Sequence, residues 1–217
     1  MVLSTRATVP ALTGKTKAEA DEALERLGAV VQIREVYKPG TTPGTVVAVE
    51  PPAGGPLRAT MVLDVSAPPS SVFLTALDSI EGNCQTGTAN AGATSSTNAV
   101  TCTARSLPSS SAPDPTLTYD LAGRADRFTA TVGIPNDDEP GSRARVRVVV
   151  DGQERFNQVI VTGANVAIDV PISGGGRLDL YVTEPNIDDP SWDGSSAAFL
   201  DARVLGSRRN IDALAAS

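Results

Sequence analysis

The 217-residue chain contains no histidine. That absence excludes Ser-His-Asp and Cys-His catalysis and removes the commonest zinc ligand. Aromatic side chains are scarce: four Phe, three Tyr and one Trp. No apolar run approaches the ~20 residues that a membrane-spanning helix requires. Met1-Val2-Leu3-Ser4 is not a basic segment followed by an apolar one, so no signal peptide is expected. An extracytoplasmic role would make this chain an excised or mature piece. Lys and Arg number 18 against 25 Asp and Glu, a net charge of −7. Residues 1–67 hold 7 of each sign, so the whole excess of acid falls on residues 68–217. An acidic region without a basic stripe argues against nucleic acid and anionic membrane as partners. The two cysteines, Cys84 and Cys102, are open to three readings: buried thiols, a metal pair or a disulfide. Two thiols without histidine make a poor zinc site, and a disulfide is the favoured reading. It implies an oxidising compartment.

Against these absences, the first 67 residues carry clear local signals. Thr16 followed by Glu19 is a capping box. Ala20, Ala23, Leu24 and Leu27 then share one face at helical spacing, and Gly28 supplies a left-handed stop. The spacing predicts a helix of about three turns. Strands are expected at 29–36, 45–50 and 60–66, where Met61, Leu63 and Val65 share a face. One helix on three strands is a small α+β unit.

These residues resemble a PASTA domain, the module of penicillin-binding proteins and bacterial serine/threonine kinases. The resemblance covers residues 7–67. It rests on Val9-Pro10, Gly14, Thr16, Glu19-Ala20, Leu24 and Gly28, then Pro43-Gly44-Thr45-Val46-Val47 and Pro51-Pro52-Ala53-Gly54. Lys17 departs from it, standing where the family usually has an apolar residue. The resemblance implies an extracytoplasmic module that binds muropeptides or acts as a spacer. Arg34, Glu35 and Tyr37 are a candidate ligand edge or a solvated face.

Residues 68–71 are expected to be a linker, stiffened by Pro68-Pro69. Residues 72–206 show no convincing amphipathic helix but many strand signals. VFLTALD opens the series at 72–78; a Gly/Ser/Thr/Asn-rich stretch separates it from AVTCTA, LTYDL, RFTATVGI, ARVRVVVDG, RFNQVIVT, VAIDV, RLDLYVT and AAFLDARVL. In ARVRVVV, Val146 and Val148 alternate with Arg145 and Arg147, as in a half-buried strand, and Asp151-Gly152 is a hairpin turn signal. The pattern predicts an antiparallel sandwich. Residues 207–217 are left as a tail.

Tyr119-Asp120-Leu121 and Arg127-Phe128-Thr129-Ala130-Thr131-Val132-Gly133 resemble the signature of the NPCBM family of carbohydrate-binding modules. Asp151-Gly152 is similar to that family's hairpin and Asp201-Ala202-Arg203 to its closing strand. The resemblance implies an all-β jelly-roll sandwich of the galactose-binding-domain type. Two departures stand out. The segment VTCTARSLPSSSAPD lacks the histidine that sugar-binding members often carry there, and Ala198-Phe199-Leu200-Asp201-Ala202 replaces an Asp-Trp-Ala-Asp-Ala motif. A PASTA module followed by this form is similar to ectodomains of actinobacterial serine/threonine kinases. The expected role is a non-catalytic, cell-envelope-facing sensor or binding region. Its expected partner is a cell-wall glycan or muropeptide, and the alternative is a spacer or protein-interaction module.

A sugar site needs an aromatic face and planar polar groups, usually on end loops. Two loops qualify: 135–143, rich in carboxylates, and 184–194. The second holds Trp192, the chain's one tryptophan, with Asn186, Asp188, Asp189 and Asp193, and is the favoured ligand site. The bland alternative has Trp192 covering the sandwich edge among solvated acids. These acids are also candidate ligands for a structural calcium, though without the spacing of an EF-hand. No other cofactor is implied. Asp120 and Asp201 read as hydrogen-bonding residues, and Gly174-Gly175-Gly176 as a turn.

Overall fold

The computed structural model describes residues 7–82, 84–105, 114–185 and 195–217. The chain forms two compact units, Met1–Pro69 and Ser70–Ser217.

In the first unit, helix α1 spans Lys17–Glu25. Its capping box is formed: the Thr16 hydroxyl accepts the Glu19 amide at 3.3 Å, and the Glu19 carboxylate accepts the Thr16 amide at 2.9 Å. The Thr16 backbone amide is the first cause holding the Glu19 carboxyl below its ordinary value. Lys17 faces water and pairs with Asp21 at 3.8 Å. Ala20 and Leu24 are fully buried. The helix ends at Glu25, two residues before the last apolar position of the predicted face, and Leu27 stays 43% exposed beyond it. Strands β1 (Val30–Val36), β2 (Val46–Glu50) and β3 (Thr60–Ser66) form a sheet in the order β1-β3-β2. The central β3 runs parallel to β1 and antiparallel to β2. Met61, Leu63 and Val65 project from β3 into a core shared with Leu24, Val9, Leu12 and Val46. Each large side chain so buried contributes about 1.5–3 kcal/mol.

The second unit begins with β4 (Ser70–Phe73), so Ser70 and Ser71 belong to a strand and not to a linker. The strand expected over 72–78 stops at Phe73. A single turn of 3-10 helix, Leu74–Ala76, replaces its second half and buries Leu74. There follow β5 (Glu81–Gly82), β6 (Gln85–Ala91), β7 (Thr94–Thr103), β8 (Leu117–Asp120), β9 (Arg127–Gly133), β10 (Arg143–Val150), β11 (Gln153–Val161), β12 (Asn165–Pro171), β13 (Arg177–Thr183) and β14 (Ser196–Gly206). One sheet has the order β11-β10-β13-β8-β5. The other has the order β12-β9-β14-β7-β6, with β4 also paired to β14. Among the described residues, every pairing between these named strands is antiparallel, and an isolated bridge between Arg105 and Thr183 is parallel.

Alternation along the strands builds the core between the sheets. Val146, Val148, Leu178, Leu180 and Tyr119 come from one sheet, and Phe128, Val132, Phe199, Val204 and Val100 from the other. Burial pushes the Tyr119 hydroxyl up to about 12. Cys84, immediately before β6, and Cys102 on β7 form a disulfide, with 4.6 Å between their Cα atoms. Cys102 points into the core beside Val100.

Two segments differ from expectation. The Gly/Ser/Thr/Asn-rich stretch after Cys84 is no loop. It forms β6 and the start of β7, joined by a tight turn in which Gly92 adopts φ +52°. The tail is a helix, α2 (Arg208–Ala215), capped by the Ser207 hydroxyl. Ile211 and Leu214 pack it into the sandwich core, and the Arg124 guanidinium donates to Ala213 O at 2.8 Å in its last turn.

Candidate functional site: a polar groove on the outer face of the sandwich

The register of β14, β7 and β6 sets which side chains face outward. Ala197 pairs with Cys102, and both point into the core. Their neighbours Ser196, Ala198, Thr101 and Thr103 therefore face out, as does Gln85 opposite Thr101. Farther along, Ala91, Ala99, Ala198 and Leu200 form a second, smaller buried cluster, with Ala89 packed against it. Three of these four buried side chains are methyl groups, so the β6–β7 hairpin can lie back against β14. Its tip is held by polar contacts. The Asn165 amide donates to Ala91 O and to the Thr94 hydroxyl, each at 2.8 Å. The Asn136 backbone amide donates to Asn90 O at 2.9 Å, and its side chain to Gly92 O at 3.1 Å.

The hairpin and the loop that follows β9 enclose a groove of about 620 Å³. Gln85, Thr88, Ala89 and Asn90 line it from β6, Thr101 and Thr103 from β7, and Ser196 from β14. Pro135, Asn136, Asp137 and Asp138 form the opposite wall. The Asp138 carboxylate accepts the Ser196 backbone amide at 2.7 Å, which ties the loop to the start of β14. The Ser195 hydroxyl accepts the Arg143 amide at 3.2 Å, and Ser195 O accepts the Ala104 amide at 2.8 Å. The described lining thus presents three side-chain amides, four hydroxyls and two carboxylates, with Ala89 and Pro135 as its apolar members. Such a surface is suited to exchanging hydrogen bonds with a polyhydroxylated ligand.

Of the residues named from the sequence, Asn186, Asp188, Asp189, Trp192 and Asp193 lie outside the described residues. The chain re-enters the described structure at Ser195, next to the groove's Ser196. The second loop singled out, 135–143, supplies the acidic wall. Sequence reasoning put Thr101 and Thr103 on a strand but missed the β6 wall, because the Gly/Ser/Thr/Asn-rich stretch was assigned no element. The available signal was Gly92 between two Thr- and Ala-containing runs. Among the described residues, no group of three or more His, Cys, Asp or Glu is placed to hold a metal ion. The acids considered for calcium fall in the undescribed segment.

Glu35 lies exposed on β1 and Tyr37 half-buried just after it, while several other candidates are occupied in structural contacts. Arg34 makes a two-pronged pair with Asp64 on the adjacent strand, at 2.6 and 2.8 Å, and this contact raises its pKa. The Asp120 carboxylate accepts the Ala122 amide at 2.8 Å and closes the turn after β8. Asp201 accepts the Ser96 hydroxyl at 2.7 Å, at a bulge in β14 where its own φ is +51°. Gly174 adopts φ +74° in its turn, and the Asp151 carboxylate accepts the Gly176 and Arg177 amides that follow.

The fold and groove define a two-part chain, a small α+β unit followed by an antiparallel β-sandwich with a polar groove. The family model described as the PASTA domain matches residues 7–66, and that of the NPCBM/NEW2 domain matches residues 109–205. The chain therefore carries a PASTA domain followed by an NPCBM/NEW2 domain. No curated protein matches the sequence. Among solved structures, it is similar to the CBM51-2 and INT domains of Clostridium perfringens ZmpB in complex with GlcNAc. That match has 14% identity and a TM-score of 0.48, over 67% of this chain and 33% of the other. It is also similar to the CBM51 of C. perfringens GH95 in complex with methyl-galactose, with 21% identity and a TM-score of 0.43, over 62% and 99% of the two chains. The chain spans about a third of the length of the first of these structures.

Proposed function

We propose that this chain is a non-catalytic, extracytoplasmic glycan-binding region, with the groove between the β6–β7 hairpin and the 135–138 loop as its sugar site. One observation carries the reading: amides and hydroxyls from three separate stretches of chain converge on one concave surface. Planar amides and carboxylates match the paired hydroxyls of a sugar ring, and Ala89 and Pro135 offer apolar contact to its carbon face. The match of residues 109–205 to the NPCBM/NEW2 domain supports the same class. The Cys84–Cys102 disulfide supports an oxidising compartment. In this reading the region projects from a membrane-anchored serine/threonine kinase and meets glycan of the cell wall, as the resemblance of its first unit to PASTA modules implies.

A second reading, a spacer or protein-interaction module, is favoured by one observation: no aromatic ring is among the described residues lining the groove. Retention of the full chain on purified cell-wall polysaccharide separates the two. Retention that soluble oligosaccharide competes away, and that Gln85→Ala or Asn136→Ala weakens, supports the glycan site. Retention no greater than that of an inert protein of similar charge supports the spacer.

A further inference from the structure

The groove's lining is electrically one-sided. Asp137 and Asp138 stand on its loop wall, and no lysine or arginine is among the described residues that line it. The facing wall, Gln85, Asn90, Thr101 and Thr103, is polar but uncharged. The surroundings reinforce this sign, because the whole net −7 of the chain falls on residues 68–217. A concave surface concentrates such a field, since the protein wall excludes part of the screening solvent. Amide and hydroxyl groups bind sugar hydroxyls whatever else the ring carries. The carboxylates distinguish what is attached to it.

We propose that the groove selects sugars by charge, taking amino sugars with a bare ammonium group ahead of their N-acetylated forms and rejecting uronic acids. This rests on the reading of the groove as a sugar site. The ammonium group would sit against the loop wall. Asp137 is exposed at the groove's lip, whereas Asp138 is partly buried and already accepts the Ser196 amide. Asp137 is therefore the residue that sets the preference, and Asp138 chiefly holds the wall in place. An exposed ion pair of this kind changes affinity by up to about five-fold at low ionic strength, and salt screens it.

The test uses the full chain with isotope-labelled backbone. Amide shifts of Gln85, Thr101 and Asn136 are followed against glucosamine, galactosamine, their N-acetyl forms, glucuronate and galacturonate. Both ring configurations are included so that ring specificity is not mistaken for charge specificity. The expected order is amino sugar first, N-acetyl form two- to five-fold weaker, and uronate weakest. Added salt should compress the order. Asp137→Asn should abolish the preference for the ammonium form while N-acetyl sugar still shifts the same amides. Equal affinities across the three classes, or a preference unchanged in Asp137→Asn, overturn the charge selection and leave the sugar site standing. No shift at these amides with any sugar overturns the site itself.

Discussion

Gly133 and Asn165 are partners across the β9–β12 ladder, and no methyl group fits between them. A Cβ on Gly133 would lie 2.7 Å from the Ala91 Cβ, and closer still to the Asn165 side-chain oxygen. Asn165 has little freedom to withdraw, because its amide holds both Ala91 O and the Thr94 hydroxyl. Gly133→Ala is therefore expected to destabilise the second unit by about 1–3 kcal/mol, the usual cost of overpacking. The check is urea denaturation: the midpoint should fall while the slope stays the same. A midpoint equal to that of the parent would show that the hairpin tip gives way freely.

The Cys84–Cys102 disulfide lies at the opposite end of β6 from those contacts. Between the two anchors β6 is an edge strand of small and polar residues, with little apolar packing of its own. Paired Cys84→Ser and Cys102→Ser substitutions should cost about 3 kcal/mol, by the chain-entropy account of a loop of this size. Hydrogen exchange should show the loss locally first, with β6 amides losing protection before those of β9 and β10. Simultaneous loss in all three strands would mean that the bond supports the whole sandwich.

Asp201 holds two opposing effects in one residue. Its left-handed backbone favours glycine, yet its carboxylate accepts the Ser96 hydroxyl, and Ser96 is buried. A hydrogen bond to a charged acceptor contributes about 1.5–3 kcal/mol, more than the few tenths that glycine would recover from an aspartate already tolerant of this region. The expected order of stability is parent, then Asp201→Gly, then Asp201→Ala, because alanine loses the bond and keeps the strain. Thermal midpoints of the three proteins give the order. Asp201→Gly more stable than the parent would show that backbone strain dominates.

Acid should weaken the second unit. The Glu154 carboxyl is held below its ordinary value of 4.5, first by the Asn157 amide and then by Arg147, and Arg127 holds Asp169 below 3.8. Groups depressed in the folded state stabilise it fully above their ordinary values, and that stabilisation is lost as pH falls through the lower, folded-state values. Asp126 opposes them. Burial raises its carboxyl above 3.8, so its contribution is present below that value and lost as pH rises. The ion pairs are exposed and contribute about 0.2–1 kcal/mol each. Denaturation midpoints from about pH 5 down to pH 3 should fall. Glu154→Gln should flatten the fall and Asp126→Asn should steepen it. A slope indifferent to both substitutions would place the acid sensitivity elsewhere.

The sequence was most legible where one local rule acts alone. Thr16 and Glu19 announced α1, and the alternation of Arg145, Val146, Arg147 and Val148 announced a half-buried strand. Legibility failed where long-range packing overrides local pattern. β6 carries alanine, threonine and glycine because it folds back on β14, and small residues in a row imitate a linker. α2 offers only Ile211 and Leu214 as apolar signals in eight residues, too few to stand out from a tail. The groove was half visible: its acidic loop was singled out, but the facing wall lies far away in the chain and no local period points to it.

The first strand of the second unit pairs with its last, since β4 lies along the end of β14, and β14 also separates β9 from β7. During synthesis the central seam of this sheet has no occupant until the final strand appears. The sheet that holds β14 therefore cannot be complete until the last strand is delivered, and its defining contacts are among the most distant in the chain.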